Sequence, residues 1–124
     1  MARHYKELVV WQKAMQLVTD VYRVTAGFPE EEKFGLVSQL RRAAASVPSN
    51  IAEGQGRSTA GEFQQFLGHA RGSLFEVETQ LVIAKNLGIV GETEVLNLQD
   101  RIDEVGRLLN GLRRSLRSGV AEVS

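Results

Sequence analysis

The chain of 124 residues contains no cysteine, which excludes a disulfide framework, a thiolate zinc site and a thiol nucleophile together. Its only histidines are His4 and His69, preceded three residues earlier by Met1 and Phe66, so the Glu-x-x-His motif that a carboxylate-bridged di-iron bundle needs on each of two facing helices is absent. Net charge is missing as well, since 15 Lys+Arg balance 15 Asp+Glu. That balance argues against a generically basic nucleic-acid binder, whose domain pI usually exceeds about 9. No apolar run approaches the ~18 residues of a membrane span, and the opening Met1-Ala2-Arg3-His4-Tyr5-Lys6-Glu7 carries no leader pattern, so a cytoplasmic protein without membrane contact is expected.

What is present is helical periodicity in a chain short enough for one domain, expected over 1–124 with loose ends at about the first five residues and from Ser118 to Ser124. Segment 7–26 repeats Leu8, Trp11, Met15, Val18 and Tyr22 at spacings of 3 and 4, the mark of one helical face. After Gly27-Phe28-Pro29, a second helix over 30–53 opens on Glu30 to Glu32 at the positive end of its dipole. Its stripe is Val37, Leu40, Ala44, Val47 and Ile51, with Pro48 inside. Pro48 removes a backbone donor and crowds the carbonyl of Ala44, so the helix either kinks there or splits in two. Ile51 keeps the register, which favours the kink.

Thr59 with Glu62 three residues on reads as a capping box for a third helix over 59–87, whose stripe runs Phe63, Leu67, Ala70, Leu74, Val77, Leu81 and Ala84. The fourth, over 92–117, carries Val95, Leu98, Ile102, Val105, Leu109, Leu112 and Leu116. Four such helices with short connections predict an all-α, antiparallel up-and-down four-helix bundle.

A second apolar stripe shares the first helix: Val10, Ala14, Leu17, Val21 and Val24 fall about 90° away at 100° per residue. If the first stripe faces the core, this one points outward. In the third helix, Phe75 and Val82 also lie off the core centre. Two readings stand: a broad core stripe, or the interface of a homo-oligomer.

No catalytic set emerges. His69 is seven residues from both Glu62 and Glu76, about 10.5 Å along a helix and too far to share one ion. The serines have no histidine placed as a general base, and Gly54-Gln55-Gly56 lacks the Lys-Ser/Thr of a phosphate loop. No enzyme activity, metal, cofactor or small-molecule substrate is expected.

Two polar features remain. Arg42, Ser46, Ser49 and Glu53 form a seam at spacings 4, 3, 4, with Asn50 and Arg57 beside it. It reads as a solvated face, an inter-subunit hydrogen-bond network or a phosphate contact. Arg107, Arg113, Arg114 and Arg117 meet no acidic residue between Val105 and Ser118. They complement the helix dipole, or form an RNA- or DNA-binding patch together with Arg41, Arg42, Arg57 and Arg71.

The strings Leu8-Val9-Val10-Trp11-Gln12-Lys13-Ala14, Phe34-Gly35-Leu36, Gln39-Leu40-Arg41-Arg42-Ala43-Ala44, Ser49-Asn50-Ile51-Ala52-Glu53-Gly54, Phe66-Leu67 and Ala70-Arg71-Gly72-Ser73 closely resemble the 23S rRNA-intervening-sequence protein family, the four-helix bundle proteins. The likeness covers about residues 5–90, and the fourth helix resembles the family only in being amphipathic. It implies a cytosolic bacterial bundle. It also implies a ring-like homopentamer, because the family is similar in fold to the pentameric, nucleic-acid-binding accessory variability proteins of diversity-generating retroelements. A protein-interaction scaffold with no nucleic-acid binding is the alternative.

Overall fold

The apolar periods fold as helices in a computed structural model that describes residues 4–118. These are α1 (Val9–Thr25), α2 (Ser38–Gln55), α3 (Ala60–Asn86) and α4 (Glu92–Ser118), and no strand occurs among the described residues. Residues 1–3 and 119–124, which include most of the expected loose ends, lie outside them.

Cross-helix contacts fix the direction of each helix. Gln39 bonds Gln80, Ser46 bonds Ser73, and Gly54 packs on Phe63 and Phe66, so numbers fall along α3 as they rise along α2. Gln99 reaches Glu78, Gly106 packs on Leu74, and Arg113 lies by Gly68, which sets α3 against α4 in the same sense. Arg41 meets the end of α1 at Tyr22 and Thr25, while Pro48 and Ala52 line a groove with Trp11. Lys13 pairs with Glu104 and Asp20 with Arg101, closing α1 on α4. Each helix therefore runs opposite to both neighbours, with α1 and α3 on one diagonal of the bundle.

The two stripes of α1 exchange roles. Val10, Ala14, Leu17 and Val21 are buried, and Val24 packs on the core, so this stripe is not an exposed interface. Of the stripe expected in the core, Leu8 is buried, Trp11 and Val18 are half-buried, and Met15 and Tyr22 are 39% and 45% exposed. Spacing of 3 and 4 fixes a period and leaves its phase open. The phase is set by bulk and by flanking polarity. Ala14 and two valines let α1 approach its neighbours closely, and the same rotation aims Lys13, Gln16 and Asp20 at Glu104 and Arg101 on α4. Trp11 and Tyr22, each with an apolar body and a polar edge, tolerate the rim.

The second helix starts later than its sequence suggests. Glu30–Glu32 form a single 3-10 turn and Lys33–Val37 a π turn, in which Gly35 has non-helical φ −108° and ψ −108°. The Glu32 carboxylate accepts the Leu36 amide at 3.2 Å, replacing a backbone partner at this irregular turn. From Ser38 onward α2 passes through Pro48 as one helix, and no split occurs at residue 48.

Two glycines shape the α2–α3 hairpin and its exit. A Cβ on Gly54 would lie 2.7 Å from the Phe66 Cβ and 2.9 Å from Phe63 Cδ1, so only glycine permits this approach of the helices. The Thr59 hydroxyl accepts the Glu62 amide at 3.1 Å and starts α3 where the capping pattern predicts. Gly88 ends it at φ +73°, with its amide on the Lys85 carbonyl and the Ile89 amide on that of Ala84, the paired bonds of a Schellman stop.

Candidate nucleic-acid interface

Antiparallel packing sorts the charges along the bundle. The half containing residues 4–16, 47–73 and 105–118 holds Lys6, Lys13, Arg57, Arg71, Arg107, Arg113, Arg114 and Arg117 against Glu7, Glu53 and Glu62. Eight cations therefore face three carboxylates. The opposite half, 17–46 and 74–104, carries Arg23, Lys33, Arg41, Arg42, Lys85 and Arg101. Against these six stand eleven carboxylates: Asp20, Glu30, Glu31, Glu32, Glu76, Glu78, Glu92, Glu94, Asp100, Asp103 and Glu104. A neutral chain thus becomes a molecule with net +5 at one end and −5 at the other over the described residues. No single stretch of sequence shows the whole polarity, because the basic half is assembled from three separate segments and the acidic half from two.

The arginines singled out from sequence occupy different stations. Arg41 is internal to the fold: its guanidinium donates to Thr25 Oγ1 at 2.9 Å and to the Tyr22 carbonyl at 3.2 Å, and stacks 4.5 Å from the Tyr22 ring. The buried Thr25 hydroxyl in turn donates to the Val21 carbonyl at 2.7 Å, so Arg41 closes the C-terminus of α1. Arg42 is exposed in the acidic half. Neither belongs with the other six.

Those six share the basic half, with unequal freedom. Arg57 pairs with Glu53 at 3.0 Å and covers Phe66 at 4.7 Å, while Arg71 covers Phe75 at 4.8 Å. Arg113 lies half-buried across α3 near Gly68, and its Nε is buried without a hydrogen-bond partner. Arg107, Arg114 and Arg117 are exposed. Arg114 and Arg117 line an open surface at the end of α4 with Gly111, Ser115 and Ser118. A guanidinium presents a planar fork suited to phosphate oxygens, so this end can meet a polyanion without rearranging the core.

The polar seam of α2 divides. Ser46 and Ser73 share a hydrogen bond of 2.8 Å, and Asn50 Nδ2 donates to the Ser46 carbonyl and hydroxyl at 2.9 and 3.0 Å, which ties α2 to α3. Ser49 turns toward α1 instead, lining a groove of about 340 Å³ with Tyr5, Trp11, Met15, Val18 and Pro48. Glu53 is engaged with Arg57. Arg42, Ser46, Ser49 and Glu53 consequently form no single site. A larger groove of about 590 Å³ between α1 and α4 is crossed by the Asp20–Arg101 pair and lined by charges of both signs. Among the described residues no cluster of three metal-ligating side chains occurs, and no helix is long and apolar enough to cross a membrane.

Residues 6–111 match the sequence profile of the family described as 23S rRNA-intervening sequence protein. Comparison with curated proteins finds no match. Among solved structures, the chain is similar to a crystal structure from Bacteroides thetaiotaomicron VPI-5482, a protein with unknown function from the S23 ribosomal protein family. The TM-score is 0.77 at 19% identity, over 86% of this chain and 99% of that one. At such identity the likeness carries the fold alone.

Proposed function

Because the chain belongs to the 23S rRNA-intervening sequence protein family, we propose that it acts as a non-enzymatic homo-oligomeric bundle that binds RNA or DNA through its arginine-rich end. The supporting observation is the axial separation of charge, with eight cations against three carboxylates in one half. A focused patch binds phosphate although net charge is zero, since the field at contact distance depends on charges within a Debye length of about 8 Å. The exposed apolar side chains of α1 and α3 support self-association, and the ring-like homopentamer implied by the family resemblance would place several basic ends together. A cytoplasmic location and the lack of a small-molecule substrate belong to the same proposal.

The test is a mobility-shift titration of structured RNA and duplex DNA at several salt concentrations. Binding should weaken as salt rises, and Arg114→Gln with Arg117→Gln should reduce the slope of log affinity against log salt by roughly two. Absence of binding at low salt, or a slope unchanged in the double variant, overturns the proposal. The first outcome favours the scaffold reading, in keeping with Arg41, Arg57 and Arg71 being engaged inside the chain.

A further inference from the structure

We infer that the acidic end of the bundle docks a cationic amphipathic helix of a partner protein, with Phe34 and Leu87 as its anchors. This goes beyond nucleic-acid binding, which is proposed for the opposite end. Phe34 is 88% exposed, the most exposed large apolar side chain among the described residues. It sits in the π turn of Lys33–Val37, where Gly35 leaves helical geometry and the Glu32 carboxylate holds the Leu36 amide at 3.2 Å. The turn gives Leu36 and Val37 to the core and withholds Phe34 from it. Insertions of this kind recur at functional sites.

The contacts between α2 and α3 place Phe34 beside a second apolar feature. Gly54 meets Phe66, Ser46 meets Ser73 and Gln39 meets Gln80, so each step back along α2 is matched by an equal step forward along α3. Continued past Gln39, the same count brings Phe34 level with Lys85, between Ile83 and Leu87. Leu87 extends the row Phe66, Ser73 and Gln80, which faces α2, at the same seven-residue interval. Because α2 begins only at Ser38, the row runs on beyond it, and Leu87 and Ile83 are left 60% and 43% exposed. Two apolar residues four apart make a ridge against which another helix packs, and Phe34 stands level with that ridge. Charge selects the partner. Glu30, Glu31, Glu32, Glu92 and Glu94 surround this end, against Lys33 and Lys85. Five carboxylates against two lysines repel nucleic acid and anionic lipid headgroups and attract a helix whose polar face is lysine or arginine.

Calorimetric titration of the full chain tests the inference, with a synthetic helix of about 18 residues that carries leucines at spacings of 3 and 4 and lysines elsewhere. The peptide should bind, and more weakly as salt rises. Phe34→Ser and Leu87→Ser should each lower the affinity about tenfold, as loss of an apolar anchor does, with thermal melts unchanged because both side chains are exposed. Phe75→Ser, at an exposed position beside Asp103 and Arg107 of α4, should bind as wild type does. A peptide with glutamate in place of each lysine should not bind. Unchanged affinity in Phe34→Ser, an equal loss in Phe75→Ser, binding of the glutamate peptide, or no binding at low salt overturns the inference. Sedimentation velocity tests for another occupant: a lower mass for Phe34→Ser than for wild type means that a second copy covers this end, which overturns the inference as well. Mobility shift reads nucleic-acid binding separately. It should be the same for Phe34→Ser and wild type, and a loss in the variant would place nucleic acid at this end in the partner's stead.

Discussion

Leu17 and Met15 stand two residues apart on α1 with the same hydrophobic character and opposite fates, the first fully buried and the second at the rim. Leu17→Ala should lower stability by about 3–5 kcal/mol, the transfer and cavity terms of a buried leucine. Met15→Ala should change it by less than about 1 kcal/mol, and denaturant melts of the two variants compare them directly. Equal losses would mean that the two stripes of α1 are both buried in solution. This pair also marks the limit of reading the sequence. Both stripes recur at 3 and 4, so periodicity establishes the helix and leaves its rotation undetermined. The clue lay in the polar flanks: Lys13, Gln16 and Asp20 need partners, and only one rotation gives them Glu104 and Arg101. Finding that clue requires knowing that α1 and α4 are neighbours, information carried by no local window.

Helix boundaries were legible wherever one side chain settles them. Thr59 starts α3 and Gly88 stops it, each by a local hydrogen-bond pattern. The start of α2 was not, because Pro29 and three glutamates make a good first turn while Gly35 and the Glu32 side chain disrupt the second. Between helices, the Ser46–Ser73 pair joins α2 and α3 with Ser73 buried. Ser46→Ala alone should cost about 1–2 kcal/mol by leaving the Ser73 hydroxyl without its partner, whereas Ser46→Ala with Ser73→Ala should cost less than the sum of the single changes. A thermal-melt double-mutant cycle reads the coupling, and strict additivity would show that the two hydroxyls act independently. The seam was visible in the sequence as a run of polar residues at helical spacing. Its division was not, since Ser46 and Ser49 lie only about 60° apart round the helix, an offset that separates them once α1 and α3 take up the two flanks of α2.

At the scale of the whole molecule, the charge polarity is a product of topology: α4 ends beside the start of α1 and α3, so its arginines add to Lys6 and Lys13 on one side and to Arg57 and Arg71 on the other. The same topology orders the assembly of the fold. Three of the four helix contacts join consecutive helices, α2 and α3 share the most extensive of them, and the α1–α4 seam alone joins segments far apart in the chain. Closing a long loop has an entropic cost that must precede its reward, so the local hairpin at Gly54 should form in the folding transition state and the α1–α4 seam after it. Gly54→Ala, which forces a methyl into the Phe63–Phe66 contact, should destabilise by about 1–3 kcal/mol and slow folding. Arg101→Gln, which removes the ion pair to Asp20, should leave the folding rate nearly unchanged and speed unfolding. Stopped-flow chevrons of the two variants decide it, and a slower folding limb for Arg101→Gln would reverse the order. One missing Cβ, required by two phenylalanines, would then control how fast this chain finds its native state.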